Sequence, residues 1–154
     1  MSIFNTIKSE LGSLMKLFRA MEFLHQKKIP FLPGIIMRYI RVVYSCELPI
    51  GLKIGKRVRF EHSGLGVVIH KDAIIGDNTT ILQNVTIGGR NSHHAPNIGR
   101  NVYIGCGACI LGGVKIGDNV MIGANAVVIK DIPDNAVVVG IPGKVIKMID
   151  EKQQ

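Results

Sequence analysis

His62 and the carboxylates near it are the residues of this chain whose types suit them to chemistry. An imidazole titrates near neutrality, so it can take a proton and give it back. A carboxylate beside it can hold the ring in one tautomer and stabilise its charged form. Glu61 is the sequence neighbour of His62, and Glu47 lies on the preceding stretch. A second imidazole pair, His93-His94, stands just before Ala95-Pro96. Cys106-Gly-Ala-Cys109 forms a CxxC with no second pair to match it. A structural zinc takes four ligands, so this CxxC does not predict a metal or redox centre.

The elements that must position these groups are read from a period. Ile69, Ile75, Ile81 and Ile87 recur every sixth residue, as do Ile98, Ile104, Ile110, Ile116, Ile122 and Val128. Gly often follows the aliphatic, and a small or β-branched residue comes four places after it. A sustained hexapeptide period predicts a parallel β-helix, in which three hexads make one triangular coil. Hydrophobic residues make up 47% of the chain but aromatics only 5%, with no Trp, which suits a narrow prism filled by Ile, Val, Leu and Ala. Eighteen Gly predict a tight corner every few residues. The beat is interrupted twice, and both interruptions carry histidine. From Ile54 it runs to Val58 and breaks at Phe60-Glu61-His62; between Ile87 and Ile98 extra residues bring in His93 and His94.

Residues 2–27 read as a helix, because Ile3, Phe4, Ile7, Leu11, Leu14, Phe18, Met21 and Leu24 recur at threes and fours. Pro30, Pro33 and Gly34 break the chain, and residues 35–45 read as a second, short helix with Arg38 and Arg41 on one side. After Val128, a turn at Pro133-Asp134-Asn135 precedes a last strand from Ala136 to Val139, a turn at Gly140–Gly143 and a short tail. The organisation is a helical segment over 1–46, a β-helix domain over 47–148 and a tail over 149–154.

The formal charge of +8 points to anionic partners. Nucleic acid is not expected, because no basic helix or aromatic platform accompanies the charge. No signal peptide or spanning stretch is evident, and three Cys make a disulfide framework improbable, so the cytoplasm is the expected location. The basic, apolar-striped N-terminal helix is suited to packing on protein, or to peripheral contact with a membrane surface.

Four stretches carry a resemblance over roughly residues 47–146: ELPIGLKIGKRVRFEH, GVVIHKDAIIGDNTTILQNVTIGG, IGCGACILGGVKIGDNVMIGANAVVIKDIP and GIPGKVI. With them the chain resembles the hexapeptide-repeat acyltransferases. It looks most like the serine acetyltransferase branch and its short relatives that acetylate sugars for surface polysaccharides. The resemblance implies an all-β main domain, a left-handed parallel β-helix behind a short α-helical segment. The general rule for parallel crossovers would have favoured the right hand. It also implies a homotrimer with sites between neighbouring prisms, and acetyl-CoA as co-substrate with no metal required.

By the same resemblance His62 is the general base, and Glu47 matches the Asp that orients it. Glu61 matches an acid that contacts the acceptor. Glu47 is favoured as orienter, since adjacent residues on a strand point to opposite faces. His93 and His94 fall where the serine enzymes carry an Arg-His-Pro run that holds the acceptor; aligned on Pro96, Ala95 and His94 replace its His and Arg. Gly88, Gly89, Gly105, Cys106 and Ala124 would line the path of the cofactor arm. Gly140, Lys144 and Lys130 would lie nearer the nucleotide phosphates, and a backbone N–H at Gly88 or Gly89 would meet the oxyanion.

The altered loop, the small helical segment and a tail ending in Gln154 favour a sugar hydroxyl of a polysaccharide precursor as acceptor. L-serine is the alternative. A γ-carbonic-anhydrase-like metal enzyme, with His62, His93 and His94 converging on a metal, is a further reading on the same scaffold.

Overall fold

The computed structural model describes residues 14–90 and 94–149. Two helices lead into the repeats, α1 (Leu14–Gln26) and α2 (Leu32–Tyr44). Helix α1 buries Leu14, Phe18 and Met21, the described part of the predicted stripe; its predicted start lies outside the described residues. Helix α2 begins earlier than the sequence suggested. Pro33 sits in its first turn, where a missing N–H costs nothing and a fixed φ favours the helix. A proline read as a breaker is therefore a helix starter.

The repeats then wind into a three-faced prism. The first face holds β1 (Lys53–Ile54), β4 (Ile74–Ile75), β7 (Asn97–Ile98) and β10 (Lys115–Ile116). The second holds β2 (Arg59–Phe60), β5 (Thr80–Ile81), β8 (Tyr103–Ile104), β11 (Met121–Ile122) and β13 (Ala136–Val139). The third holds β3 (Val68–Ile69), β6 (Thr86–Gly88), β9 (Cys109–Leu111) and β12 (Val127–Val128). These strands pair in parallel, and a bridge from Glu47 to Val68 extends the third face by one level.

Register keeps like on like. Ile69, Ile87, Ile110 and Val128 stack inside the third face, and Ile81, Ile104, Ile122 and Val138 inside the second. All of these are buried. Their burial is the main stabilising term of the prism, at roughly 1.5–3 kcal/mol per large aliphatic side chain.

The corners correct the expectation for glycine. One left-handed corner is built from Asn78, Asn101, Asn119 and Asn135, whose φ angles are 59°, 55°, 58° and 58°. Asn tolerates that region, and its amide can bond its neighbours. Asn78 donates to Asn101 at 2.9 Å, Asn101 to Asn119 at 3.0 Å and Asn119 to Asn135 at 2.9 Å. Several repeat glycines serve a different need. A Cβ on Gly99 would stand 2.6 Å from the Gly117 carbonyl oxygen of the next coil, so Gly is required there by close approach rather than by its own φ.

The tail was also misread. Residues Lys144–Met148 form β14, which turns back to pair antiparallel with β13 and is exposed along its length. The turn at Gly140–Gly143 reverses the chain, and β14 covers the free edge that β13 would otherwise present.

An acidic ladder ties coil to coil on the surface. Asp118 accepts from the Arg100 backbone N–H at 2.7 Å, and its other oxygen meets the guanidinium at 2.7 Å. The Arg100 backbone N–H, and then its side chain, hold the Asp118 carboxyl below the usual carboxylate range. A depressed folded pKa contributes stability above the unfolded value of about 3.9, and this is lost as pH falls through the folded value. Asp118→Asn is therefore less stable than the parent at pH 7, and the gap narrows below about pH 4. Denaturant unfolding of both proteins at pH 7 and pH 3 checks this; a gap that is constant with pH contradicts it.

Candidate active site

Coil length locates the two interruptions. Contacts between regular coils join residues 18 apart. The first coil spans 21 residues and the coil that carries His94 spans 23. The extra residues of the first coil form a 3-10 turn at Glu61–Gly64. Inside it His62 has φ 51° and ψ 34°, and Ser63 φ 57° and ψ 26°. Two successive non-glycine residues in the left-handed region cost on the order of 1–3 kcal/mol each, strain that recurs at functional sites.

The turn is held in place from both sides. The Gly66 N–H donates to the Ser45 carbonyl at 2.9 Å and the Val67 N–H to the Gly64 carbonyl at 2.9 Å. Gly64 is buried, and a Cβ there would lie 2.7 Å from the Leu14 side chain of α1. His62 is left exposed, and its imidazole makes no hydrogen bond among the described residues.

Glu47 lies on the stretch to which this turn is stitched. Its N–H donates to the Val67 carbonyl at 2.8 Å, and its own carbonyl accepts from Ile69 at 3.1 Å. The side chain is 44% exposed, and its carboxylate meets the Arg41 guanidinium of α2 at 3.6 Å. Glu61 faces Arg59 at 4.0 Å. Backbone neighbours thus bring Glu47 and His62 to adjacent segments, while each carboxylate meets an arginine and not the imidazole. Strand alternation does not choose between the two acids, because Glu61 and His62 sit in the turn and not on a strand.

A cleft opens beside Glu47 along the third face, bounded by Val68, His70, Thr86 and Gly88. His70 had been given no role in the sequence. Its Nδ1 accepts from the Asp72 N–H at 3.2 Å, which fixes the ring in the cleft wall. Arg41 was seen only as a helix residue. Nothing in its sequence spacing signalled that it would meet Glu47, because the meeting depends on how α2 docks.

The second interruption covers the corner between the third and first faces. His94 is exposed and lies against the next coil, where a Cβ on Gly113 would stand 2.8 Å from the His94 Cβ. Ala95 packs against the core and Pro96 is buried. His93 lies outside the described residues.

The expected cofactor residues fall on two edges of the prism. Gly88, at the end of β6, and Gly89 and Lys130 belong to the edge between the third and first faces. Gly105, Cys106, Ala124 and Gly140 follow strands of the second face and belong to the opposite edge, as does the His62 turn. Lys144 opens β14 and is exposed. The third face separates the two edges within a single prism.

Structural demand also separates the glycines. A Cβ on Gly105 would stand 2.6 Å from the Ala124 backbone N, whereas one on Gly88 would make ordinary contacts at 3.8 Å with Leu111 and 3.9 Å with Thr86. The fold needs Gly105 and does not need Gly88, so the bare backbone at Gly88 is free for a ligand.

The three cysteines are free. Cys46 is buried, and burial pushes its thiol up to about 11, so it is held as an unreactive thiol. Cys106 and Cys109 are half-buried, and Ala108 and Ile110 beside Cys109 fill the core instead. Among the described residues no three His, Cys, Asp or Glu side chains gather as a metal site requires. Within a single prism His62 and His94 lie on different edges and do not converge.

Comparison with known proteins places this geometry. The family described as Bacterial transferase hexapeptide (six repeats) matches residues 95–130. Over 131 residues the chain is 40% identical to the serine acetyltransferase of Synechococcus elongatus, covering 83% of this chain and 53% of the relative. Over 116 residues it is 48% identical to that of Staphylococcus aureus, covering 73% and 54%. The chain carries the repeats of that family and is similar in sequence to these enzymes.

The chain spans about half the length of the curated relatives it matches. Among solved structures it is similar to the Neisseria gonorrhoeae serine acetyltransferase in complex with serine, at 28% identity and a TM-score of 0.83, covering 92% of this chain and 60% of that one. It is also similar to a serine acetyltransferase in complex with CoA, at 31% identity and a TM-score of 0.78, covering 86% and 55%. A coil of the opposite hand would not superpose so closely, so the chain shares their hand, the left hand that the resemblance implied.

Proposed function

We propose that this transferase moves an acetyl group from acetyl-CoA directly to the side-chain hydroxyl of L-serine. The observation that carries this reading is its similarity to serine acetyltransferases, in sequence at 40–48% identity and in fold to chains described with serine and with CoA. It replaces the sugar acceptor favoured by the sequence.

In this reading the His62 imidazole removes the hydroxyl proton as the oxygen attacks the thioester carbonyl. A backbone N–H at Gly88 or Gly89 meets the oxyanion. Collapse of the tetrahedral intermediate breaks the C–S bond, and the imidazolium returns the proton to the departing CoA sulfur. Glu47 steadies the imidazolium, and Glu61 and His94 contact the acceptor; His93 has the same expected role.

The two-edge arrangement supports a homotrimer. A groove between neighbouring prisms would bring the His62 edge of one subunit to the Gly88 edge of the next, so that one acetyl-CoA touches both. Lys130 and Lys144 then supply positive charge for the nucleotide phosphates. The use of acetyl-CoA and three unpaired cysteines support a cytoplasmic site of action.

The test is a side-by-side product screen by mass spectrometry, with acetyl-CoA and either L-serine or a panel of sugar precursors. O-acetylserine is the expected product. Acetylated sugar without O-acetylserine would return the acceptor to the sugar class, and no CoA release with any acceptor would end the acetyltransferase reading.

A further inference from the structure

The helical hairpin carries an apolar surface that the prism does not use. Phe31 is 86% exposed and Val42 79%, and Leu32, Ile35, Tyr39 and Val43 are exposed with them. Positions 31, 35, 39 and 42 are spaced by fours and threes, so on α2 they form one stripe. Ile40 and Pro33 face the other way and are buried. The stripe begins at the link between the helices, where every residue from Lys27 to Leu32 is exposed.

Two features give this surface a direction. Phe31 has φ 63° and Lys28 φ 56°, so a bulky aromatic is held in a strained backbone conformation while contributing little to any core. Basic residues also border it. Lys27 and Lys28 sit at the link, and Arg38 and Arg41 flank the stripe on α2. Among the described residues of the hairpin, Glu22 is the acidic one, and it is occupied by the Gly51 N–H at 2.9 Å.

We propose that the link and the exposed stripe of α2 dock on an anionic bilayer surface. Phe31, Ile35, Tyr39 and Val42 would enter the headgroup boundary, while Lys27, Lys28 and Arg38 meet the lipid phosphates. An apolar stripe rimmed by cations is the pattern that binds such surfaces. A second copy of this chain is the competing occupant. A closed symmetric contact through the stripe would bring the same basic flanks of two copies together, and like charges there oppose it. No helix among the described residues is long and apolar enough to cross a membrane, so the contact is peripheral. The expected membrane contact thus moves from the first helix to the link and α2. Arg41 is shared between this helix and Glu47, so docking would also set the candidate site close to the lipid surface.

The proposal does not depend on the acceptor. Its test uses the full chain with vesicles of phosphatidylcholine alone or mixed with phosphatidylglycerol, read by co-sedimentation. Binding to the mixed vesicles only is expected. Phe31→Ser with Val42→Ser, and separately Lys27→Glu with Lys28→Glu, should each weaken it by roughly tenfold or more, with the solution acetyl-transfer rate and the oligomeric mass unchanged. The chain has no Trp, so Phe31→Trp adds a unique fluorophore whose emission should shift to the blue on mixed vesicles. This second reading holds even if the double variants fold poorly. Absence of binding and of the shift overturns the proposal, as does binding that both double variants retain. A changed oligomeric mass in Phe31→Ser with Val42→Ser, with no vesicle binding by the parent, assigns the stripe to a second copy instead.

Discussion

His62→Asn lowers kcat with L-serine by on the order of 10²–10⁴-fold and leaves the melting temperature close to that of the parent. Asparagine is the informative replacement because His62 sits at φ 51°, a conformation that Asn tolerates better than most residues. The variant therefore removes the imidazole while preserving the turn. An interaction lost only in the transition state lowers kcat and kcat/KM together and leaves the KM for acetyl-CoA nearly unchanged. Steady-state kinetics with both substrates, set beside a thermal melt, separates this from unfolding. Full rate in the variant would show that the base lies elsewhere.

Gly105→Ala and Gly88→Ala are expected to diverge. At Gly105 the new methyl would press on the Ala124 backbone at 2.6 Å, in the middle of a stacked corner. Backbone cannot swing aside as a side chain can, so the coils must part, at a cost of roughly 1–3 kcal/mol. At Gly88 the methyl meets only ordinary contacts at 3.8 and 3.9 Å, and stability should stay within about 0.5 kcal/mol. If Gly88 bares backbone to the cofactor, that silent variant nonetheless raises the KM for acetyl-CoA. Denaturant melts and acetyl-CoA titrations of the two proteins give the four numbers required. A Gly88→Ala enzyme with unchanged kinetics would remove Gly88 from the cofactor path.

The hexapeptide period already contained the prism. Ile81, Ile104 and Ile122 recur in the sequence at intervals that place them on one inward column, because a strand turns the same side to the core whenever the same position returns. The two interruptions were also legible as departures from that period, and each carries a candidate site residue, His62 and His94. Composition read the narrow aliphatic core correctly for the same reason: side-chain volume is a property of each residue alone.

What the period did not contain is how the coils and helices meet. The repeat glycines looked like corner residues, but the left-handed corners belong largely to asparagine, and Gly99 and Gly105 answer to backbone that passes them from the next coil. Pro33 looked like a stop and became the first turn of α2, because helix starts and breaks use the same residue and only the backbone after it decides. Strand β14 was hidden in an exposed tail that pairs with the edge of β13. The meeting of Glu47 with Arg41, and the division of the candidate cofactor residues between two edges, depend on docking and coil closure. Local pattern therefore determined which side chains point inward. The tertiary structure decided which outward groups become neighbours, because that depends on contacts between segments whose separation no local period records.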